Sequence, residues 1–281
     1  MSTFLVTGAS TGIGRATALR LDRAGHRVLA TVRRDEDGSA LAEAASGRLE
    51  PVILDLTDRE SIAAAAGRLD GDGSRLDGLL NNAGTAIAGP LELLPIDDFR
   101  EQLEINLVGQ VAVTQAMLPA LRRARGRIVF VSSIGGRVAF PFNAPYHASK
   151  WAIEAVGESL RNEVRPWGIE VSLVEPGSVA TPIWAKGQAR GDEFLDSSGP
   201  GEEAARLYGA RLAAFRAQVR ATAERGIDPD EVAAVIEHAF TAERPRTRYL
   251  VGRDAKIQAR ARRLIPDRLY DRIVAFQLRA R

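Results

Sequence analysis

The chain has no cysteine, which removes disulfides, thiolate metal sites and cysteine nucleophiles together. Histidine is almost as scarce. His26, His147 and His238 are the only three, and their spacing matches no metal-ligand pattern, so no metal is expected. No apolar run approaches the roughly 18 residues of a membrane span. The first run, Phe4–Val6, is too short for the core of a signal peptide, and a cytoplasmic setting is expected. A net charge of +2 is close to balance. It excludes a strong whole-molecule attraction to nucleic acid and makes membrane contact an unfavoured reading. The basic residues are nearly all arginine, so each of the three lysines, Lys150, Lys186 and Lys256, is an unusual choice.

What is present is a rhythm. Short aliphatic and β-branched runs at 3–7, 27–32, 50–54, 77–81, 127–132 and 169–174 read as strands. Helical patterns at 13–24, 39–46, 58–69, 97–123 and 144–166 separate them. Apolar strands alternating with helices predict an α/β fold: a doubly wound parallel sheet of Rossmann type, a single domain over 1–281 in three α/β/α layers. Such a sheet gathers the loops after its strands along one edge, where a ligand binds. After residue 176 the rhythm changes. Residues 183–203, rich in Gly, Asp and Ser, predict a mobile substrate loop or lid. Helices follow at 202–225 and 230–241, then an edge strand at 247–251. The Arg-rich tail over 254–281 has an amphipathic helical pattern interrupted by Pro266 and is read as docking on the domain or joining a subunit interface.

The first strand runs into Thr7-Gly8-Ala9-Ser10-Thr11-Gly12-Ile13-Gly14, and a helix opens at Ile13. Glycines there permit a tight turn and a close backbone approach, and N–H groups at the helix start face a pyrophosphate. After strand 2, where a carboxylate would hold the ribose 2′-OH of NAD, the chain has Arg33-Arg34. Two guanidiniums suit a 2′-phosphate, so NADP(H) is expected in preference to NAD(H). Further on, Tyr146-His147-Ala148-Ser149-Lys150 opens a helix with Tyr and Lys one turn apart on one face. A nearby ammonium, helped by the positive nicotinamide ring in the oxidised state, favours the tyrosinate and is expected to lower the phenol pKa from about 10, letting Tyr146 trade protons at neutral pH. His147 is read as a bystander.

The glycine spacing, with Ser133 thirteen residues before Tyr146, resembles the classical short-chain dehydrogenase/reductase family. Arg33-Arg34 and the long C-terminal extension are similar to its 17-beta-hydroxysteroid and retinol dehydrogenase branch. The resemblance implies hydride transfer between nicotinamide and a carbonyl or alcohol of a hydrophobic small molecule. It implies that Ser133 (or Ser132, should the strand end earlier) polarises the substrate oxygen, and that Lys150 holds the nicotinamide ribose. Asn106 would anchor a water in a proton relay. It also implies cofactor contacts from Asp55-Leu56 at the adenine, from Asn82, Ala83 and Gly84 in the cleft, and from Pro176, Gly177, Val179 and Thr181 at the carboxamide. The family's habit implies a homodimer or homotetramer through the helices at 97–123 and 144–166. The substrate pocket is expected to be apolar and roomy, lined by Val138, Phe140, Phe142, Ile183, Trp184, Phe194, Leu207 and Phe215. Two rival readings remain: a nucleotide-sensing regulator without chemistry, and an epimerase or dehydratase on the same fold.

Overall fold

A computed structural model describes residues 1–70, 75–196 and 200–277. Seven strands, β1 (Thr3–Val6), β2 (Arg27–Val32), β3 (Leu49–Ile53), β4 (Gly78–Asn81), β5 (Arg127–Val131), β6 (Glu170–Pro176) and β7 (Arg248–Val251), form one sheet in the order β3-β2-β1-β4-β5-β6-β7. Every pairing is parallel. The order reverses between β1 and β4, the switch point where open α/β sheets bind their ligands.

The two faces of the sheet follow the two-residue period of a strand. Phe4, Val6, Val28, Ala30, Val129 and Val131 pack on one side with Leu21 of α1 (Gly12–Arg23) and with Ile236 and Phe240 of α9 (Pro229–Thr241). Leu5, Leu29, Leu79, Ile128 and Phe130 pack on the other side. Their partners there include Ile62 of α3 (Arg59–Asp70), Met117 of α5 (Gly109–Ala124) and Ile153 of α6 (Ala144–Val164). The short α2 (Asp35–Glu43) starts earlier than the periodicity suggests, because Asp35, Glu36 and Asp37 supply an acidic first turn.

Three segments differ from expectation. The pattern at 97–123 is not one helix: α4 (Ile96–Leu103) passes into α5 through a π-helical turn at Glu104–Val108 that carries Asn106. Such widened turns often occur at functional sites. The segment 183–203 is not a loop, because α7 (Ile183–Asp196) occupies it and α8 (Pro200–Glu224) begins within it. Residues 197–199 lie outside the described residues. Arg190 explains part of the order, reaching Asp98 of α4 at 3.0 Å and Glu101 at 2.9 Å. The tail forms α10 (Arg253–Leu264) and α11 (Asp267–Gln277), interrupted around Pro266. Ala255 and Ala259 of α10 pack with Ile134, Val138 and Phe140, so α10 is docked on the segment that follows β5. Among the described residues no helix is long and apolar enough to cross a membrane.

Candidate active site

The loops after the strands enclose a cleft of about 960 Å³. Gly8, Ser10, Thr11, Gly12 and Ile13 line it from the β1–α1 turn, Arg33 and Arg34 from the end of β2, and Asp55 and Leu56 from the end of β3. Asn82, Ala83 and Gly84 follow β4, and Pro176, Gly177, Val179 and Thr181 follow β6. The turn is built too tightly for side chains. A Cβ on Gly14 would stand 2.2 Å from the Gly8 carbonyl oxygen, and one on Gly8 would stand 2.7 Å from the Ala83 backbone. Gly8 also has φ of +66°, which L-residues rarely adopt. Asn82 Nδ2 donates to the Thr7 and Gly8 carbonyls at 2.9 and 3.2 Å, tying the turn to β4. Gly14 therefore shapes the turn without lining the cleft, and Asn82 both lines the cleft and braces it.

The two arginines differ. Arg34 forks onto Asp37 through two bonds of 2.9 Å. Arg33 is exposed and its charge helps to hold the Asp55 carboxyl low, although two hydrogen bonds from Thr57 do more. The cleft's size, its backbone turn at a helix start and its cationic rim fit a nicotinamide dinucleotide. Ser10–Ile13 would take the phosphates, Arg33 the 2′ end, and Gly177–Thr181 the nicotinamide end.

Ser133, Tyr146 and Lys150 meet at the inner end of the cleft. Ser133 caps a 3-10 turn by accepting from Gly135 N at 3.0 Å and is hydrogen-bonded to Tyr146. Both serines border the cleft, and Ser132 lies beside Glu154. Tyr146 and Lys150 are 6% and 5% exposed. Lys150 donates to the Val131 carbonyl at 2.8 Å, with its ammonium 5.8 Å from the Tyr146 ring centroid.

The protein's own share of one expectation is not met. Burial raises the Tyr146 phenol above its usual value, and the Ser133 hydrogen bond offsets this only in part. Burial also lowers Lys150 to about 8, against the opposing pull of Glu154. The protein alone does not depress the phenol, because removing both groups from water outweighs their mutual effect. Asn106 is fixed in place by its side chain. Its amide is spent on the backbone of Thr85, at 2.8 and 2.9 Å, and on Ser149 at 3.1 Å.

A second cavity of about 140 Å³ opens beside the first and shares Ser133, Tyr146, Gly177 and Trp184 with it. This is room for about one six-membered ring, smaller than expected. Phe140, Trp184 and Phe215 line it, and Ile183 lines the larger cleft. Val138, Phe142 and Leu207, also expected to line it, do not. Val138 belongs to the core under α10, and the Phe142 ring packs against Phe215 and Tyr208, with centroids 5.5 and 6.0 Å away. Leu207 faces solvent, and the side chain of Phe194 lies outside the described residues. Asn143, Gln218, Asp254 and Gln258 also line this cavity, and no local sequence pattern marks them for it. Asp254 accepts from Ser178 N at 2.7 Å, so the tail braces the Gly177–Ser178 turn. His147 also has a task. It accepts from Phe140 N through Nε2 at 3.0 Å, which leaves Nδ1 to donate to the Gly135 carbonyl at 2.9 Å and pins the cavity wall.

A nucleotide cleft on a parallel sheet, ending at a buried serine, tyrosine and lysine, defines a nicotinamide-dependent oxidoreductase of alcohols and carbonyls. The chain belongs to the short-chain dehydrogenase family, whose profile matches residues 2–191. It is 37% identical to retinol dehydrogenase 5 of Homo sapiens, covering 97% of this chain and 87% of that one. It is 32% identical to the NADPH-dependent 3-dehydrocapnine reductase of Ornithobacterium rhinotracheale, covering 96% and 94%. A short-chain dehydrogenase from Streptomyces avermitilis superposes with a TM-score of 0.77 at 31% identity, covering 98% and 96%.

Proposed function

We propose that the protein is an NADP(H)-dependent dehydrogenase/reductase that interconverts a hydrophobic carbonyl compound and its alcohol, with Ser133, Tyr146 and Lys150 as the catalytic residues. The observation that carries this reading is the shared wall. Ser133 and Tyr146 border both the nucleotide cleft and the smaller cavity, so a substrate oxygen can meet them while its carbon faces the cofactor. Bound nicotinamide would supply or accept the hydride.

In the reductive direction the Ser133 hydroxyl donates to the substrate oxygen and polarises it. Tyr146 then gives its phenolic proton to that oxygen as negative charge develops. The phenol is in its protonated form at neutral pH, the form this direction requires. Lys150, anchored by the Val131 carbonyl, brings positive charge to the tyrosine and a donor for the ribose hydroxyls. Asn106 is read as a positioning residue, since its side chain ties Thr85 to Ser149 one residue before Lys150.

NADP(H) preference is supported by the exposed Arg33 at the rim and by the NADPH named for one relative. A hydrophobic substrate is supported by Ile134, Phe140, Trp184 and Phe215 around the smaller cavity. A single domain, acting as a homodimer or homotetramer in the cytoplasm, completes the reading. The test is a panel of ketones, aldehydes and secondary alcohols with each nicotinamide cofactor, followed at the nicotinamide absorbance. Turnover with NADPH or NADP⁺ at higher kcat/KM than with NADH or NAD⁺ is expected. Equal or better efficiency with the unphosphorylated cofactor would overturn the cofactor preference, and no turnover of any compound would overturn the enzymatic reading.

A further inference from the structure

The wall shared by the cleft and the smaller cavity contains Ser133, Tyr146, Gly177 and Trp184. Ser133 follows β5 and Tyr146 lies in the first turn of α6. Gly177 has no side chain, so its place depends on what holds its backbone. Gly177 N donates to the Val251 carbonyl at the end of β7, and Ile227 N donates to the Ser178 carbonyl, both at 2.9 Å. The sheet pairing of β6 with β7 ends at Pro176 and Val251. Ser178 N lies beyond it and donates instead to Asp254 Oδ2, at 2.7 Å. A hydrogen bond to a carboxylate is about twice as strong as one between neutral groups.

The surroundings are cut to admit this carboxylate. A Cβ on Gly177 would stand 2.1 Å from Asp254 Oδ1, and one on Gly252 would stand 2.6 Å from it. A side chain at either position would push the carboxylate from its place. Asp254 belongs to the first turn of α10, where the helix dipole favours an acid, and Gly252 before it offers no side-chain cap. Yet Asp254 spends an oxygen outside its own helix, on the loop after β6. The same helix packs Ala255 and Ala259 against Ile134 and Val138, which follow Ser133. α10 therefore touches both sides of the shared wall: the segment that carries Ser133 and the turn that carries Gly177.

We propose that α10 is a strut across the reaction centre and that Asp254 is its positioning residue, holding the Gly177–Ser178 turn in register with Ser133 and Tyr146 for hydride transfer. This rests on the oxidoreductase reading of the same site and adds a residue to its machinery. It also gives the C-terminal segment a part in catalysis, because Asp254 lies beyond the stretch that the family profile covers. Asp254 acts through the turn and touches no reacting atom. Its contribution is geometric, and small errors of placement at a reacting pair are costly: about 1 Å can cost 10²-fold in rate.

The test compares Asp254→Ala with Asp254→Asn in the full chain, using NADPH and the ketone of the panel that turns over fastest. Asp254→Ala removes the acceptor for Ser178 N, and kcat per NADPH-binding site is expected to fall about 10–100-fold. The dissociation constant for NADPH should stay within about threefold, since the β1–α1 turn and the ends of β2 and β3 are untouched. Asp254→Asn keeps an acceptor oxygen without the charge and should retain at least about a third of kcat. A second readout needs no turnover. Trp184, 5.6 Å from the Tyr146 ring, borders the cleft, so tryptophan-sensitised emission of bound NADPH at saturation should change in Asp254→Ala and be restored in Asp254→Asn. If Asp254→Ala does not fold, Asp254→Ser, too short to reach Ser178 N, takes its place. Failure of both to fold would assign Asp254 to stability alone and overturn the proposal. So would wild-type kcat and emission in Asp254→Ala, or equal losses in Asp254→Ala and Asp254→Asn. Each of these leaves the oxidoreductase reading intact, whereas no turnover of any ketone by the wild-type protein would overturn both.

Discussion

The nucleotide cleft and the substrate cavity share a wall but are assembled differently. The loops expected to hold the cofactor directly follow strands: Gly8–Ile13 after β1, Arg33 and Arg34 after β2, Asp55 and Leu56 after β3, Asn82–Gly84 after β4 and Gly177–Thr181 after β6. Topology alone brings them to one edge. The cavity instead draws Phe140 and Asn143 from a connecting segment, Trp184 from α7, Phe215 from α8, Gln258 from α10 and Val274 from α11. Nothing but tertiary packing brings those residues together. A site can therefore inherit its cofactor from its fold and acquire its substrate from surrounding helices, which frees the second to vary without disturbing the first.

The sharpest way to break this comparison is at the shared wall. Tyr146→Phe removes the proton donor and little volume. The expected loss in kcat is about 10²–10⁴-fold, with NADPH affinity by fluorescence titration changed far less. Wild-type turnover would remove Tyr146 from its assigned role. Gly14→Ala probes the cleft by itself. Its added carbon would lie 2.2 Å from the Gly8 carbonyl, and overpacking costs about 1–3 kcal/mol. Cofactor affinity should fall about 10–100-fold if that cost appears in binding. An unchanged dissociation constant would show that the turn is not held as tightly as its geometry implies.

Arg33→Ala sharpens the cofactor reading at smaller scale. Because Arg33 is exposed, the loss should be modest, about tenfold in kcat/KM with NADPH. NADH should be nearly unaffected. An equal loss with both cofactors would point to a structural role for Arg33. Arg34 should matter less, since its guanidinium is already paired with Asp37.

Most of the sheet and nearly all of the cleft were legible in the sequence, because Thr7–Gly14, Asn81–Gly84 and Tyr146–Lys150 are local patterns tied to strand ends or one helical turn. The sign of the Tyr146 shift was not legible. Local spacing sets the distance between the phenol and Lys150, but burial, which wins, depends on the rest of the chain. The helix at 183–196 was also hidden. Its Gly187 and Gly191 read as breakers, yet a Cβ at either would stand 2.5 or 2.4 Å from the Ala86 or Ala88 carbonyl oxygen. The glycines let α7 approach that segment, a fact no single-chain pattern carries. Asn143 and Gln258 escaped for the same reason, being ordinary polar residues until packing turns them inward.

Lys150 links the two halves and should leave a mark in pH profiles. With its pKa lowered to about 8, it loses its charge above that pH in the protein before cofactor binds. The kcat/KM for NADPH reports the free enzyme, so it should fall several-fold on the alkaline side of about pH 8. Lys150→Arg lowers activity overall but keeps its charge at every accessible pH, so that decline should vanish from the residual activity. A decline of unchanged midpoint in the variant would assign it to another group.

The smallest effect expected is on stability, at the wall of the substrate cavity. Burial lowers the pKa of His147, with the Gly135 carbonyl opposing only in part. The geometry gives the reason. Nε2 already accepts from Phe140 N, so a second ring proton would face a donor. A group whose folded pKa lies below its unfolded value, here about 6.5 for histidine, contributes stability that is complete above that value. The contribution is lost as pH falls toward the folded pKa, because the unfolded chain takes up the proton first. The thermal midpoint should therefore drop on acidification from pH 7 to 5.5 by more than in His147→Gln, which does not titrate. Parallel pH dependences in the two proteins would mean that protonated His147 is tolerated, and that the Gly135–Phe140 wall yields more readily than the cleft beside it.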